Sequence, residues 1–329
     1  MLFWESTARC NLRCVHCRRL TEAAAEEELL TEEVQGVFES AASLGKPIIV
    51  FSGGEPLLRE DWRELADAAR RLDLPTALAT NGTLIDPATA EQVAAAGFRR
   101  VAVSLDGADA ATHDAFRGVE SAFDRAIAGI TELQHAGTAV QINATVAAHN
   151  VDQLPSLYAL ACSLRAVALH LFLLVPVGCG AEISRSHQLP PETCEQVLNW
   201  ICDRQMSRHL ELRATCAPQY CRVATQRGIK PQSRGCLAGG SVIFVSSAGE
   251  VFPCGYLPVS CGSVRRHSLA DIWRGSNVFA KLRDFEQLKG KCGRCEFKTV
   301  CGGCRARAFA ATGDYLEAEP ACAYEPQKG

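Results

Sequence analysis

The chain has 329 residues and a formal net charge of −3, with 47% hydrophobic and 22% charged residues. It has neither a basic tail nor a long block of like charges, which argues against a nucleic-acid partner. No apolar run reaches the roughly 20 residues that a membrane helix needs, so no membrane association is expected. The length suggests about two domains.

Seventeen cysteines are many for a chain whose first motif begins so early that no signal peptide is expected before it. Disulfides are rare in the cytosol, so the cysteines favour metal or redox chemistry. Three open the chain, none lies between Cys17 and Cys162, and eight fall between Cys236 and Cys322. This distribution predicts two cysteine-rich sites separated by a scaffold, in a reducing, oxygen-poor cytoplasm.

The first motif follows an apolar strand at residues 2–4 and contains Cys10, Cys14 and Cys17 at C-x3-C-x2-C spacing. A compact loop with this spacing can direct three thiolates to three corners of one iron–sulfur cube. A [4Fe-4S] cluster normally takes four cysteines, so three would leave one iron open to a small molecule. The alternatives are a zinc site that lacks one ligand and a chance grouping.

The second motif is a turn, Gly53-Gly54-Glu55, after a short apolar strand. Its glycines permit a tight turn with exposed backbone groups, and Glu55 can accept hydrogen bonds from a cationic amine. Together the two motifs resemble those of the radical S-adenosylmethionine (SAM) superfamily. The resemblance implies that the three cysteines hold a [4Fe-4S] cluster, that SAM chelates its open iron, and that Gly53, Gly54 and Glu55 bracket the SAM amine.

Strands and helices alternate along the next 200 residues. Further strands are expected at 47–51, 75–80, 99–105, 140–146 and 167–175, and the last helix at 190–208. Six such units predict an α/β fold with a parallel sheet and outer helices. They resemble the partial (β/α)6 barrel of radical SAM enzymes over residues 1–211. Functional residues are then expected at the carboxyl ends of the strands.

Four polar residues near these strand ends also match the superfamily: Ser104, Asp106, Arg117 and Asn143. The resemblance implies that Ser104 and Arg117 bind the SAM carboxylate, which suits the fork of donors on a guanidinium. It further implies that Asp106 and Asn143 lie near the ribose. A surface ion pair for Arg117 and core hydrogen bonding for Asn143 are the alternatives.

The C-terminal region, residues 212–329, has a glycine- and cysteine-rich composition that resembles the SPASM domain of radical SAM enzymes. A β-hairpin is expected around Ala248-Gly249. The resemblance implies one or two auxiliary [4Fe-4S] clusters. One set of ligands would be Cys292, Cys295, Cys301 and Cys322, and a second would be Cys236, Cys254 and Cys304.

Two questions stay open for this region. The fourth ligand of the second set is Cys216, Cys221 or Cys261, or that iron stays open for substrate. Two C-x2-C pairs also fit a zinc ribbon. The quartet departs from the common family spacing, because two residues rather than three separate Cys301 from Cys304.

Three stretches, at 173–178, 213–218 and 301–316, resemble the tetrapyrrole-modifying branch, most closely heme synthases of the siroheme-dependent heme pathway. The resemblance implies oxidative decarboxylation of two propionates of iron-coproporphyrin III to vinyl groups, giving heme b. It also implies an electron donor such as a ferredoxin or flavodoxin. One departure is Gln219, where such enzymes tend to have histidine.

The substrate is tetra-anionic, so arginines are needed to bind it. The candidates are Arg18, Arg19, Arg213, Arg222, Arg305 and Arg307. Two other enzyme classes share most of these motifs: a maturase of a ribosomally made peptide, and a sibling enzyme that deacetylates a siroheme derivative.

Overall fold

The computed structural model describes residues 1–19, 27–205, 210–231 and 234–327. Its strands are β1 (Leu2–Glu5), β2 (Ile49–Ser52), β3 (Thr76–Thr80), β4 (Val101–Ser104), β5 (Val140–Val146), β6 (Ala168–Leu173), β7 (Glu211–Thr215), β8 (Ile243–Val245), β9 (Glu250–Phe252) and β10 (Gly262–Ser263). They form one ten-stranded sheet in the order β10-β9-β8-β1-β2-β3-β4-β5-β6-β7.

The helices of the barrel half are α1 (Thr31–Ala42), α2 (Trp62–Arg71), α3 (Pro87–Ala95), α4 (Ala110–Arg117), α5 (Ala122–His135), α6 (Leu154–Ser163), α7 (Cys179–Glu182), α8 (Ser184–His187) and α9 (Pro191–Gln205). The remaining helices are α10 (Gln219–Gln226), α11 (Leu269–Gly275), α12 (Asn277–Arg283), α13 (Gly290–Gly293) and α14 (Arg305–Thr312). The helix expected at 190–208 is α9; residues 206–209 lie outside the described residues.

Strands β1 to β7 are parallel to their neighbours, which confirms the α/β fold with a parallel sheet. The six expected strands correspond to β1 to β6, and β7 is an additional parallel strand. Because β7 begins at Glu211, it spans the expected boundary between residues 211 and 212, and that boundary stays a prediction.

The two faces of the parallel sheet differ in polarity because successive side chains of a strand point to opposite faces. On β4, Val101 and Val103 are fully buried, and on β5 so is Ile142. On the other face of the same two strands, Ser104 and Asn143 are half-buried and pair with each other in the strand register. The sheet thus packs its apolar face against the helices and keeps a polar inner face for a site.

Aromatic residues anchor this core at the first two strands. Trp4 on β1 packs edge-to-face against Phe38 of α1, with ring centroids 5.6 Å apart, and against Phe51 of β2 at 5.2 Å. Such edge-to-face pairs add about 0.5–1.5 kcal/mol each beyond the buried area. This packing fixes β1, the strand that leads into the first cysteine motif.

The cysteine-rich C-terminal region attaches to the same strand. Strand β8 pairs with β1 in parallel and with β9 antiparallel, so the expected hairpin is present. Gly249 in its turn has a φ of +93°, a conformation that favours glycine. The pairing of β8 with β1 brings the C-terminal cysteines beside the N-terminal loop. Among the described helices, none is both long and apolar enough to cross a membrane.

Candidate active site

The N-terminal loop carries three half-buried free thiols, Cys10, Cys14 and Cys17. Burial raises the pKa of Cys10 and of Cys14 above the ordinary thiol value. Arg117 opposes this shift at Cys14, since its Nη1 lies 3.7 Å from the Cys14 Sγ. Thiols crowded in a partly dry loop beside a guanidinium are suited to bind as thiolates to a cationic metal centre.

Backbone contacts fix this loop over the end of α4. The N–H groups of Arg13 and Val15 donate to the carbonyls of Arg117 and Phe116, at 3.2 and 3.1 Å. Gly118 has a φ of +69°, and a Cβ there would lie 2.4 Å from the Arg13 carbonyl oxygen. Only glycine permits this approach, so the loop and α4 form one unit.

The glycine pair after β2 makes a second close backbone contact with the loop. The N–H of Gly54 donates to the Thr7 carbonyl and that of Glu55 to the Arg9 carbonyl, both at 2.8 Å. A Cβ on Gly54 would lie 2.2 Å from the Arg9 carbonyl oxygen. The pair therefore positions the cysteine loop, and its contact with a SAM amine stays a prediction.

Glu55 is fully buried and accepts three hydrogen bonds. Its Oε1 accepts from the Thr80 hydroxyl at 2.8 Å and from the Leu57 N–H at 3.2 Å, and its Oε2 accepts from the Asn81 N–H at 2.8 Å. Burial raises the pKa of Glu55 to about 7, although these three donors oppose the shift. A carboxylate has about four acceptor positions, so one remains for a cationic donor.

Asp106 organises the other side of the loop. It is fully buried, and its Oδ2 lies 2.6 Å from Arg117 Nη2 and 3.3 Å from His16 Nε2, while its Oδ1 accepts from the Thr145 N–H at 2.6 Å. Burial alone would raise the pKa of Asp106, but the Arg117 charge holds it below the usual value. Asp106 thus orients Arg117 from within the protein, and its contact with a ribose stays a prediction.

His16 is held neutral beside Asp106, because burial lowers its pKa to about 3. Its ring stacks on Phe116 with the centroids 3.9 Å apart. Ser104 ends β4, and Asn143 lies opposite it in the middle of β5, where its Oδ1 accepts from Gln141 at 2.6 Å. The structure therefore brings the polar residues expected from the sequence to one edge of the sheet, while their SAM contacts stay predictions.

The first C-terminal set comes together around one cavity of about 370 Å³, measured with its opening to solvent. Its cysteines are Cys292, Cys295, Cys301 and Cys322. Gln219 also lines this cavity and is almost fully buried. The departure at Gln219 therefore lies beside this cysteine set.

The second C-terminal set consists of Cys216, Cys236, Cys254 and Cys304. Burial, together with the other three thiols, raises the pKa of Cys216 well above the ordinary value. Burial, with Cys236 and Cys304 nearby, raises the pKa of Cys254 to about 12, and burial, with Glu319 and Cys236 nearby, raises that of Cys304 to about 11. Cys216 and Cys254 pack against the apolar cluster that contains Cys304, which favours Cys216 over Cys221 and Cys261 as the fourth ligand, and that assignment stays a prediction.

Cys216 follows β7 in the left-handed region, with a φ of +51°. A non-glycine residue in this region is uncommon and is concentrated at functional sites. The strain is consistent with a thiol that is turned toward a ligand. The sequence alone left this residue as one of three candidates, because its partners are distant along the chain.

Three of the six candidate arginines are engaged inside the protein. Arg222, Arg305 and Arg307 are almost fully buried. Arg305 donates to the carbonyls of Gly303, Tyr315 and Glu317, and Arg222 pairs with Glu195. Arg213 pairs with Glu211 at 2.7 Å, and Arg19 donates to the Ala8 carbonyl. The expectation that Arg222, Arg305 and Arg307 serve substrate carboxylates is therefore wrong.

Arg18 contacts a hydroxyl and an aromatic ring. Its Nη2 lies 3.2 Å from the Ser52 hydroxyl, and its guanidinium lies 4.6 Å from the Phe244 ring centroid. Tyr256 is adjacent: burial raises its pKa, and the charges of Cys216, Arg18, Cys254 and Cys17 also act on it. Tyr256 packs with Cys216 and Cys254 against one apolar cluster, and a Cβ on its neighbour Gly255 would lie 3.1 Å from Arg18 Nη1. Tyr256 therefore lies close to both the N-terminal loop and the second set, a position that no sequence motif indicated.

The donor sets fit iron–sulfur clusters, which are held by cysteine thiolates: three in the loop and four in each C-terminal set. Among the described residues, no three His, Cys, Asp or Glu side chains are close enough to share a single metal ion.

Two family models match the chain: the radical SAM superfamily over residues 4–160 and an iron-sulfur cluster-binding domain, SPASM, over residues 236–296. Over 342 residues the chain is 48% identical to an AdoMet-dependent heme synthase of Methanosarcina barkeri, covering 100% of this chain and 97% of that protein. It is 42% identical to the AdoMet-dependent heme synthase of Nitratidesulfovibrio vulgaris, with coverage of 100% and 93%.

A solved structure of similar fold is SuiB of Streptococcus suis bound to its precursor peptide SuiA. The TM-score is 0.78 at 19% identity, and the match covers 98% of this chain and 75% of that one. At this identity the likeness concerns the fold alone. It agrees with the partial barrel and C-terminal cysteine domain found here.

Proposed function

Because the chain belongs to the radical SAM enzymes with a SPASM domain, and within them to the AdoMet-dependent heme synthases, we propose that it converts iron-coproporphyrin III to heme b. The reaction is the oxidative decarboxylation of two propionates to vinyl groups. When bound in the loop of Cys10, Cys14 and Cys17, the cluster and SAM supply a 5′-deoxyadenosyl radical.

The reaction needs two functions on one substrate. A propionate gives up one hydrogen atom to the radical, its bond to the carboxylate carbon breaks, carbon dioxide leaves, and one electron must be accepted. The observation that carries the proposal is the position of Tyr256, which packs with Cys216 and Cys254 of the second set and whose neighbour Gly255 lies against Arg18 of the loop. A substrate lying beside Tyr256 is adjacent to the radical source and to an electron acceptor.

The protein's own residues bind and orient the reactants. Glu55 keeps one acceptor position for the SAM amine, and Arg117, fixed by Asp106, offers its guanidinium to the SAM carboxylate. Arg18 at the same mouth is proposed to hold a propionate, since its neutral contacts with Ser52 and Phe244 leave its charge to pair with an anion. Burial around these groups strengthens each ionic contact.

The electron partner is proposed to be a ferredoxin or flavodoxin in a reducing compartment. One electron per turnover must enter to cleave SAM, and one leaves with each carbon dioxide. Small one-electron proteins serve this exchange. The cysteine-rich sites also require surroundings poor in oxygen, since cysteine-bound iron–sulfur centres are sensitive to oxidation.

The test is an anaerobic incubation of the reconstituted protein with dithionite, SAM and iron-coproporphyrin III, followed by mass spectrometry. We expect stepwise loss of two formic-acid equivalents, with one 5′-deoxyadenosine formed per step. The triple variant Cys10→Ala/Cys14→Ala/Cys17→Ala is the control and is expected to give neither product. If the porphyrin neither changes the absorption spectrum nor stimulates SAM cleavage, the proposal is wrong, and a peptide or a siroheme derivative becomes the substrate to test.

A further inference from the structure

A buried glutamate, Glu319, lies between the two C-terminal cysteine sets and contacts both, one through its backbone and the other through its side chain. The backbone N–H of Glu319 lies 3.3 Å from the Sγ of Cys292, in the first set. The side-chain Oε2 of Glu319 accepts from the N–H of Cys304, in the second set, at 2.7 Å. Glu319 is 0% exposed. One residue thus joins a ligand thiol of one set to the backbone of a ligand in the other.

Arg307 is the partner of this carboxylate and extends the contact to the barrel. Its Nε donates to Glu319 Oε1 at 3.0 Å, and its Nη2 donates to the Cys216 carbonyl at 2.6 Å. Its Nη1 lies 3.5 Å from the carbonyls of Leu173 and Leu174 at the end of β6. Two of the four cysteines in the second set, Cys216 and Cys304, are therefore hydrogen-bonded through their backbone to the Glu319–Arg307 pair.

The packing around the pair is too close to be incidental. Gly303 has a φ of +59°, and a Cβ there would lie 2.8 Å from the Cβ of Glu319 and 3.0 Å from the Cys292 Sγ. A buried ion pair is also a poor source of stability, because well-packed apolar residues of the same volume often stabilise a fold more. Its position between two redox sites suggests a role in their chemistry.

We propose that Glu319 and Arg307 form an electrostatic and hydrogen-bonded bridge that sets the reduction potentials of both auxiliary sites and carries one electron between them. The route runs from the Cys304 N–H through the Glu319 side chain and backbone to the Cys292 Sγ. This inference rests on the proposed function for its direction. The electron that leaves the substrate with carbon dioxide enters the second site, passes to the first, and leaves to an oxidised ferredoxin- or flavodoxin-type carrier.

The surroundings of the two sets support this direction. The second set packs against an apolar cluster that includes Val175, Val177 and Leu257, on the side of Tyr256 and the barrel mouth. In the first set, Cys295 lies between the exposed residues Arg294 and Glu296. The first set is thus the one from which a carrier protein can take an electron.

The negative charge of Glu319 determines how its removal should change the two reduction potentials. Reduction adds one negative charge to a cluster, and a nearby carboxylate in a dry interior opposes that charge. Glu319→Gln removes this negative charge and leaves the Arg307 charge uncompensated, so reduction becomes easier at both sites. We expect both potentials to rise, each by at least a tenfold change in the ratio of reduced to oxidised cluster, which is about 59 mV for one electron.

The experiment uses the full chain in a Cys10→Ala/Cys14→Ala/Cys17→Ala background, so that only the auxiliary sites carry clusters. Glu319→Gln is compared with this parent by iron content and by potentiometric titration followed by electron paramagnetic resonance. The control is Asp61→Asn, which removes a carboxylate from the Arg59–Asp61 pair, whose other contacts are with Thr31, Ser6 and Leu29. The control is expected to keep both potentials of the parent.

Full iron with both potentials raised supports the bridge. Full iron with unchanged potentials, or a change at one site alone, overturns it. If Glu319→Gln does not retain iron, Glu319→Asp is the second variant. Its backbone hydrogen bond to Cys292 stays, but its shorter side chain no longer reaches the Cys304 N–H. The reduction potential of the second site alone should therefore shift. Two unchanged potentials in loaded Glu319→Asp overturn the bridge equally. No porphyrin is used, so failure of the proposed substrate does not affect the result.

Discussion

Replacing Asp106 by Asn should weaken both the fold and the SAM site. Asp106 is fully buried and balances the charge of Arg117 at 2.6 Å. Removing one partner of a buried ion pair costs about 3–5 kcal/mol, because the other charge stays buried without compensation. The amide also cannot fix Arg117 as a carboxylate does. We therefore expect a lower unfolding midpoint and a loss of SAM affinity together.

The assay is urea unfolding of the anaerobically reconstituted protein, followed by far-ultraviolet circular dichroism, alongside equilibrium dialysis with SAM. The control is Asp109→Asn in the same loop, where the carboxylate caps α4 by accepting from the Thr112 N–H at 2.8 Å. Asparagine caps helices about as well as aspartate, so little change is expected. If Asp106→Asn loses SAM binding at unchanged stability, Asp106 contacts the ligand directly and the positioning role is refuted.

Three further predictions follow from single contacts. SAM affinity should fall as the pH drops from 8 to 6, because Glu55 has a pKa of about 7 without ligand and its protonated form cannot pair with an ammonium group. Glu55→Gln should bind SAM weakly at every pH. If the affinity of that variant still falls with pH as in the parent, another group causes the effect. Gly54→Ala should lose about four irons per chain, because its Cβ would lie 2.2 Å from a carbonyl oxygen of the loop. The control Gly36→Ala, whose Cβ would have nothing within 4 Å, should keep the full iron content. Equal iron contents in the two variants would refute the steric argument. Cys216→Ser should alter the resonance signal of the second site and Cys261→Ser should not; the reverse result makes Cys261 the fourth ligand.

Features set by local patterns could be predicted from the sequence. The strand β5 was expected at 140–146 and has those bounds, because alternating β-branched residues define a strand locally. The cysteine quartet of the first set was implied by the resemblance to the SPASM domain, and its four members line one cavity, while their role as ligands stays a prediction. Strand β7 was missed because its five residues, from Glu211 to Thr215, include two charged side chains.

Features set by long-range packing could not be predicted. The contact of Cys216 with Cys236, Cys254 and Cys304 depends on where β7 and β8 join the sheet. From the sequence, Arg307 was a candidate for binding substrate carboxylates, and only the fold shows that it pairs with Glu319 inside the protein. A buried charge and an exposed charge look alike in a sequence, because burial depends on residues that are distant along the chain.

The most direct test of the central claim follows the hydrogen atom. Iron-coproporphyrin III carrying deuterium on the propionate carbons beside the ring is incubated anaerobically with the reconstituted protein, dithionite and SAM. If the loop of Cys10, Cys14 and Cys17 generates the radical that acts on this substrate, the 5′-deoxyadenosine formed should gain one deuterium for each vinyl group produced. Unlabelled 5′-deoxyadenosine alongside vinyl products, or labelled substrate recovered unchanged while SAM is cleaved, would contradict the account.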